Sequence, residues 1–320
     1  MKPFSFVLAA ALVAVGAAAL APLASARSDQ EYRFRKIDPP FGDPEVDMDV
    51  QSFYVADDGV ASVQYQIPRS GVCCALTPEF FDNVHMAVRL GRTWKKIDVP
   101  DASTTLGTAP NERGEVGLTY PVDGVWHSAV WNPRRGLTSF PNLANFPGGL
   151  LATGLNDRGR IAAYAYDSTG HSHAFFGDLQ HHTVVDYPGP DVTDTLAQFE
   201  SDAGVRVGAY ILSDGSLHAF AERHGQFVTI DPPGSVAAIA LAVNNDGVIV
   251  GGYFDATGSL FGFIKRGNHF SDFRVPGSTL TIPWLINDSG QVSGTYSESA
   301  DPLFHGVFHG FLATPLEDRD

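Results

Sequence analysis

Short apolar runs alternate with polar and glycine positions along this chain, and an Asx-x-Gly step breaks them at even intervals. Four stretches align end to end: "NERGEVGLTYPVDGVWHSAVW" (111–131), "NDRGRIAAYAYDSTGHSHAFF" (156–176), "SDAGVRVGAYILSDGSLHAFA" (201–221) and "NNDGVIVGGYFDATGSLFGFI" (244–264). Looser copies begin at Ala56 and Asn287. The turn glycines are Gly59, Gly114, Gly159, Gly204, Gly247 and Gly290, so the steps are 55, 45, 45, 43 and 43 residues. Asx followed by Gly supplies the positive φ of a tight hairpin.

Each copy reads as four short strands, A to D. A second turn ("DSTG", "LSDG", "DATG") separates B from C, and D runs into "VDYPG", "TIDPPG" or "FRVPG", where proline ends the ladder. Four antiparallel strands in a repeat of about 45 residues predict a blade of a β-propeller. The expected fold is all-β: six four-stranded blades at approximately 48–103, 104–148, 149–192, 193–236, 237–279 and 280–315. The last copy has no strand D after it, whereas "YRFRKIDPP" (32–40) stands alone before the first. Its strand, 32–38, is expected to complete blade six and remove the open edge. The domain would then span 27–320.

The segment before it reads as an export signal. Lys2 precedes an Ala/Val/Leu run, and "ASA" at 24–26 has the small-x-small form of a cleavage site. A secreted or periplasmic location follows as an expectation, with no membrane span after cleavage and a monomeric state. Formal net charge is −15, which disfavours nucleic acid as a partner.

The block resembles the HAF-repeat family of probable extracellular repeat proteins. The matching residues are "HAF" at 173–175 and 218–220, each behind an Asx-x-Gly turn, with looser forms at 85–88, 127–130, 261–263 and 309–311. The resemblance implies a secreted, propeller-like repeat protein and carries no catalytic residues with it.

Thirteen residues separate the strand C position from the strand D position in each usable copy: His85 and Asp98, His127 and Phe140, His173 and Asp186, His218 and Asp231, Phe261 and Arg274. A hairpin centred between them puts the two in register, close enough for an imidazole–carboxylate contact. A pair copied around a ring reads as scaffold, so His85–Asp98, His173–Asp186 and His218–Asp231 are expected to be structural. The "HSH" at 171–173 is a conceivable half of a metal site, but no third ligand stands at a recognisable spacing. No nucleophile elbow or phosphate loop occurs, and neither a catalytic residue, a metal nor a cofactor is assigned.

The largest departure from the repeat is an insert between strands B and C of copy one, "SGVCCALTPEFFDN" (70–83). Strand parity places it on the face that carries the strand D prolines. Its Cys73, Cys74, Phe80 and Phe81 are the candidate binding residues. Adjacent Cα atoms are about 3.8 Å apart, short of the usual disulfide range of about 4.4–6.8 Å. A Cys73–Cys74 bond would be strained, and it reads either as the floor of a pocket or as a loop staple. The functional expectation is a non-catalytic binding module for an extracellular ligand or surface, with a glycan among the candidates. The alternatives are a polysaccharide hydrolase or lyase on the same scaffold and a structural envelope protein.

Overall fold

The Asx-x-Gly steps do what their chemistry predicts. Gly114, Gly159, Gly204, Gly247 and Gly290 all have φ between 68° and 79°, and each closes a hairpin. The protein is seen here as a computed structural model, which describes residues 32–37, 49–56, 60–66, 84–178, 180–299 and 308–316.

Twenty-four strands are found among these residues. Strand β1 is Tyr32–Ile37. Blade one holds β2 (Asp49–Val55), β3 (Ala61–Gln66), β4 (Val84–Leu90) and β5 (Thr93–Lys96). Blade two holds β6 (Leu106–Pro110), β7 (Val116–Val122), β8 (Val125–Asn132) and β9 (Gly136–Ser139). Blade three holds β10 (Gly149–Leu155), β11 (Ile161–Tyr166), β12 (Ser172–Gly177) and β13 (His182–Val185). Blade four holds β14 (Val192–Glu200), β15 (Arg206–Leu212), β16 (Leu217–Arg223) and β17 (Gln226–Thr229). Blade five holds β18 (Ser235–Val243), β19 (Ile249–Asp255), β20 (Leu260–Arg266) and β21 (His269–Phe273). Blade six holds β22 (Leu280–Ile286), β23 (Val292–Ser297) and β24 (His309–Pro315).

Every blade is antiparallel. Blades two and three share one eight-stranded sheet through a single parallel bridge, Gly149↔Trp126. Only glycine fits there: a Cβ on Gly149 would lie 1.8 Å from the Trp126 carbonyl oxygen. The first strand of each blade carries a bulge, for example at Ala197/Phe199, Ala240/Ala242 and Pro283/Leu285. Bulges bend and re-aim a strand. The bulged strands pack against one another in order round the ring, and β2 meets β22 to complete the circle.

Closure uses β1, which pairs antiparallel with β24 from Tyr32↔Pro315 to Ile37↔Gly310. The Tyr32 ring meets Phe273 of blade five edge-on at 5.3 Å, and Arg266 donates to the Tyr32 hydroxyl at 2.8 Å. The ring therefore has no open seam. Its core lies mainly between blades. One cluster joins Val207, Ala219 and Ile230 of blade four to Ala238, Ile249 and Phe263 of blade five.

Candidate functional site

Strand direction gives the ring two unlike poles. At one pole emerge the A–B and C–D turns, and at the other the B–C and D–A connections. Cys73, Cys74, Phe80 and Phe81 belong to the B–C connection of blade one and lie outside the described residues.

The recurrent histidines sit towards the second pole. His85 Nδ1 is 3.0 Å from Asp98, His173 Nδ1 is 3.0 Å from both Asp186 oxygens, and His218 Nδ1 is 2.7 Å from Asp231. The C–D register leads straight to these contacts. Arg223↔Gln226 and Leu90↔Thr93 bracket two-residue turns, and the carboxylates fall just past the end of each ladder. His224 and Gly225 both have positive φ, as the twist of such a hairpin demands. The second oxygen of Asp231 accepts the Ala219 N–H at 2.8 Å, and that of Asp98 accepts Met86 N–H at 2.8 Å. Each of these two carboxylates thus satisfies a backbone donor that strand D has stopped short of.

A tyrosine completes the row on strand B. Tyr65, Tyr120, Tyr210 and Tyr296 stand directly opposite His85, His127, His218 and His309. Tyr210 stacks on His218 with ring centroids 5.2 Å apart. Blade five keeps the tyrosine, Tyr253 opposite Phe261, and substitutes the other two positions together: the Arg274 guanidinium lies 3.5 Å from the centroid of Phe261, a cation–π contact in place of the ion pair. Blade two departs from the expected register. Asn132↔Gly136 closes a three-residue loop, so Phe140 is one place out of line with His127.

Blade three is the exception that matters. Ala165, not a tyrosine, faces His173, and Tyr164 and Tyr166 on either side turn to the opposite face of the strand. There they join an apolar cluster with Leu196, Ile239 and Phe254. Tyr164 receives a hydrogen bond from Gln198, and burial raises the pKa of both phenols. The two histidines of "HSH" are each held by carboxylates. His171 Nδ1 lies 3.2 Å from Asp194, and His173 Nε2 lies 3.6 Å from Asp167. Burial opposes protonation of His173, but Asp186 and then Asp167 outweigh it and hold its pKa above the ordinary value. Burial also acts to raise the Asp167 pKa. Hydrogen bonds from Thr169, His171 and His173 overcome this and bring it down to about 2. Among the described residues no group of three or more His, Cys, Asp or Glu is arranged to hold a metal ion.

Two openings lie near the axis. The first, at the A–B pole, contains about 470 Å³ of empty space open to solvent. All six blades line it, mostly through their Asx-x-Gly turns. Four of those side chains are already engaged, because a backbone N–H of one turn donates to the second turn residue of the next blade. Glu112 donates to Asp157 (2.5 Å), Arg158 to Asp202 (3.3 Å), Ala203 to Asn245 (2.9 Å) and Asn245 to Asp288 (2.8 Å). The motif therefore serves twice, as a hairpin and as an inter-blade latch.

The second opening, at the B–C pole, contains about 450 Å³ of solvent-open space between blades four, five and six. Leu217, Ile239, Phe254, Leu260, Ile282 and Trp284 are among its large lining residues, and no ionisable side chain lines it among the described residues. The Trp284 indole N–H is satisfied by Thr295 at 2.9 Å, so its ring offers an apolar surface with no pending donor. Sequence reading did not find this cleft. Its signal was the run of apolar residues at the starts of β18 and β22, which looks the same as blade packing until the blades are arranged.

Four-stranded antiparallel blades closed in a ring define a β-propeller. No protein-family model and no curated protein sequence matches the chain. Among solved structures it is similar to AofleA from Arthrobotrys oligospora (TM-score 0.51, 12% identity, 91% of this chain and 92% of that one). It is also similar to TolB from Acinetobacter baumannii (TM-score 0.50, 14% identity, 77% of this chain) and spans 62% of the length of that protein. The Aleuria aurantia lectin, described as a six-bladed β-propeller with a novel fucose recognition mode, aligns at TM-score 0.44 and 12% identity, over 79% of this chain and 89% of that one. At identities this low, AofleA and TolB speak to the fold alone. Among the described residues no helix is long and apolar enough to cross a membrane.

Proposed function

We propose that this protein is a non-catalytic binding module whose ligand enters the apolar cleft at the B–C pole. The observation that carries this reading is the lining: among the described residues it consists of aliphatic and aromatic side chains from three blades, with no ionisable group. Such a surface suits a neutral ligand that presents an apolar face, since pockets of this kind gain affinity from buried apolar area and orientation from few polar contacts. The HAF-repeat resemblance and the hydrophobic N-terminal run, which lies outside the described residues, support export of the protein to meet that ligand.

The test is titration with the neutral fluorophore N-phenyl-1-naphthylamine, followed by its emission and by quenching of tryptophan. The full chain is expected to bind it, and Leu260→Glu to weaken binding by at least about tenfold, since one buried aliphatic anchor is worth about 1.5–3 kcal/mol. Equal binding by Leu260→Glu overturns the reading. So does a neutral glycan that binds tightly while the fluorophore does not.

A further inference from the structure

The charge of this chain is unevenly distributed. Residues 161–299 hold five Lys or Arg against fifteen Asp or Glu, whereas residues 84–160 hold nine against six. Much of that excess gathers at the A–B pole of blades one to three, on the C–D turns of blades one and two and the A–B turns of blades two and three. Contacts bring these turns together. A Cβ on Gly114 would lie 3.1 Å from Leu90 and 3.7 Å from Pro133, the neighbours in sequence of the turns bearing Arg92 and Arg134. Gly159 approaches Arg113 so closely that a Cβ there would lie 2.7 Å from its Nη2.

The arginines divide into two groups. Arg113 is fixed by Glu115 at 2.6 Å and by the Asp157 carbonyl at 2.7 Å, and Arg160 by Glu200 at 3.0 Å. Arg92, Arg134, Arg135 and Arg158 are exposed, and no ion pair holds their side chains among the described residues. Here Glu115 is held by Asn111, Arg113 and Asn132. It is thus spent on the turn itself and does not neutralise the exposed guanidiniums.

From this we infer that the turn rim of blades one to three binds an anionic, carboxylate-bearing polysaccharide, at a site separate from the apolar cleft. Every cation on these turns is arginine, whose planar fork matches a carboxylate with two parallel hydrogen bonds. Four free guanidiniums across three blades make a track for a linear polymer, where one small anion would need a single pocket. The acidic half of the ring does not cancel the attraction, because at ordinary ionic strength charges act over a Debye length of about 8–10 Å. Duplex DNA fits less well. It carries about one charge per 1.7 Å and is a broad, stiff rod, so it would overlap the acidic turns of blades four to six as well.

The experiment measures binding of the full chain to polygalacturonate by biolayer interferometry at low and moderate salt. The parent is expected to bind with an affinity that falls steeply as salt rises. Arg92→Gln/Arg134→Gln/Arg135→Gln should weaken binding at least about tenfold. Arg33→Gln/Arg35→Gln/Arg223→Gln, which removes the same charge from exposed positions elsewhere, should stay within about twofold. Equal losses in the two triple variants would mean a net-charge effect and overturn the site. No binding by the parent, or tighter binding to duplex DNA at the same salt, would overturn the assignment to a polysaccharide. Circular dichroism of both variants establishes that they are folded.

Discussion

Arg206 holds two buried carboxylates, and its removal tests whether the blades are joined by charge as well as by apolar contact. Its Nε is 3.2 Å from Glu200 and its Nη1 3.2 Å from Glu222, whose side chains are 7% and 3% exposed. Arg160 of blade three reaches the other oxygen of Glu200 at 3.0 Å, so the chain Arg160–Glu200–Arg206–Glu222 crosses from blade three to blade four. The guanidinium also lies 4.8 Å from the centroid of the Phe176 ring. Arg206→Met keeps the packing of the stem and deletes the charge. Glu200 keeps Arg160, but among the described residues Glu222 is left with the Gly225 N–H at 2.5 Å. Breaking one partner from a buried pair costs about 3–5 kcal/mol, and the partial exposure of Arg206 points to the lower end. Urea unfolding followed by tryptophan fluorescence and circular dichroism should show a loss of about 3 kcal/mol. Adding Glu222→Gln to that variant removes the orphaned charge and should recover roughly half of the loss. A cost of less than about 1 kcal/mol for Arg206→Met, or a double variant no more stable than the single one, would refute charge coupling between these blades.

Two further outcomes follow from the same geometry. Deleting residues 27–40 removes β1 and exposes the edge of β24; losing the half-buried Tyr32, Phe34 and Ile37 should cost roughly 2–5 kcal/mol, and an unchanged melting temperature would refute closure by this strand. Asp186 and Asp167 hold the pKa of His173 above its ordinary value against the effect of burial, so its contribution is complete below its unfolded pKa of about 6.5 and is lost as pH rises through the raised folded value. The stability difference between the parent and His173→Gln should therefore shrink from about pH 5.5 to about pH 8 in urea titrations, and a constant difference would count against the pairing. Asp167 acts in the opposite sense, its contribution being present above the unfolded carboxylate range and lost as pH falls towards about 2.

What the sequence determined by itself is everything fixed by neighbours along the chain. A hairpin sets its register within a few residues, so the turn glycine, the strand C histidine and the strand D aspartate could be aligned by counting. The Asp231–His218 contact needs only one two-residue turn. The unmatched "YRFRKI" was legible for the same reason, since a copy with three strands and a strand with no copy imply one another. The tertiary structure decided whatever depends on the angle between blades. Nothing in "NDRG" or "NNDG" shows that the second residue accepts an N–H from a turn more than forty residues away. The apolar cleft and the arginine rim were hidden for a related reason. Ile239 and Trp284, or Arg92 and Arg134, lie forty or more residues apart, and packing of successive blades brings them to one pole of the ring. Local chemistry writes the blade, and only packing of blade on blade turns its leftover side chains into surfaces.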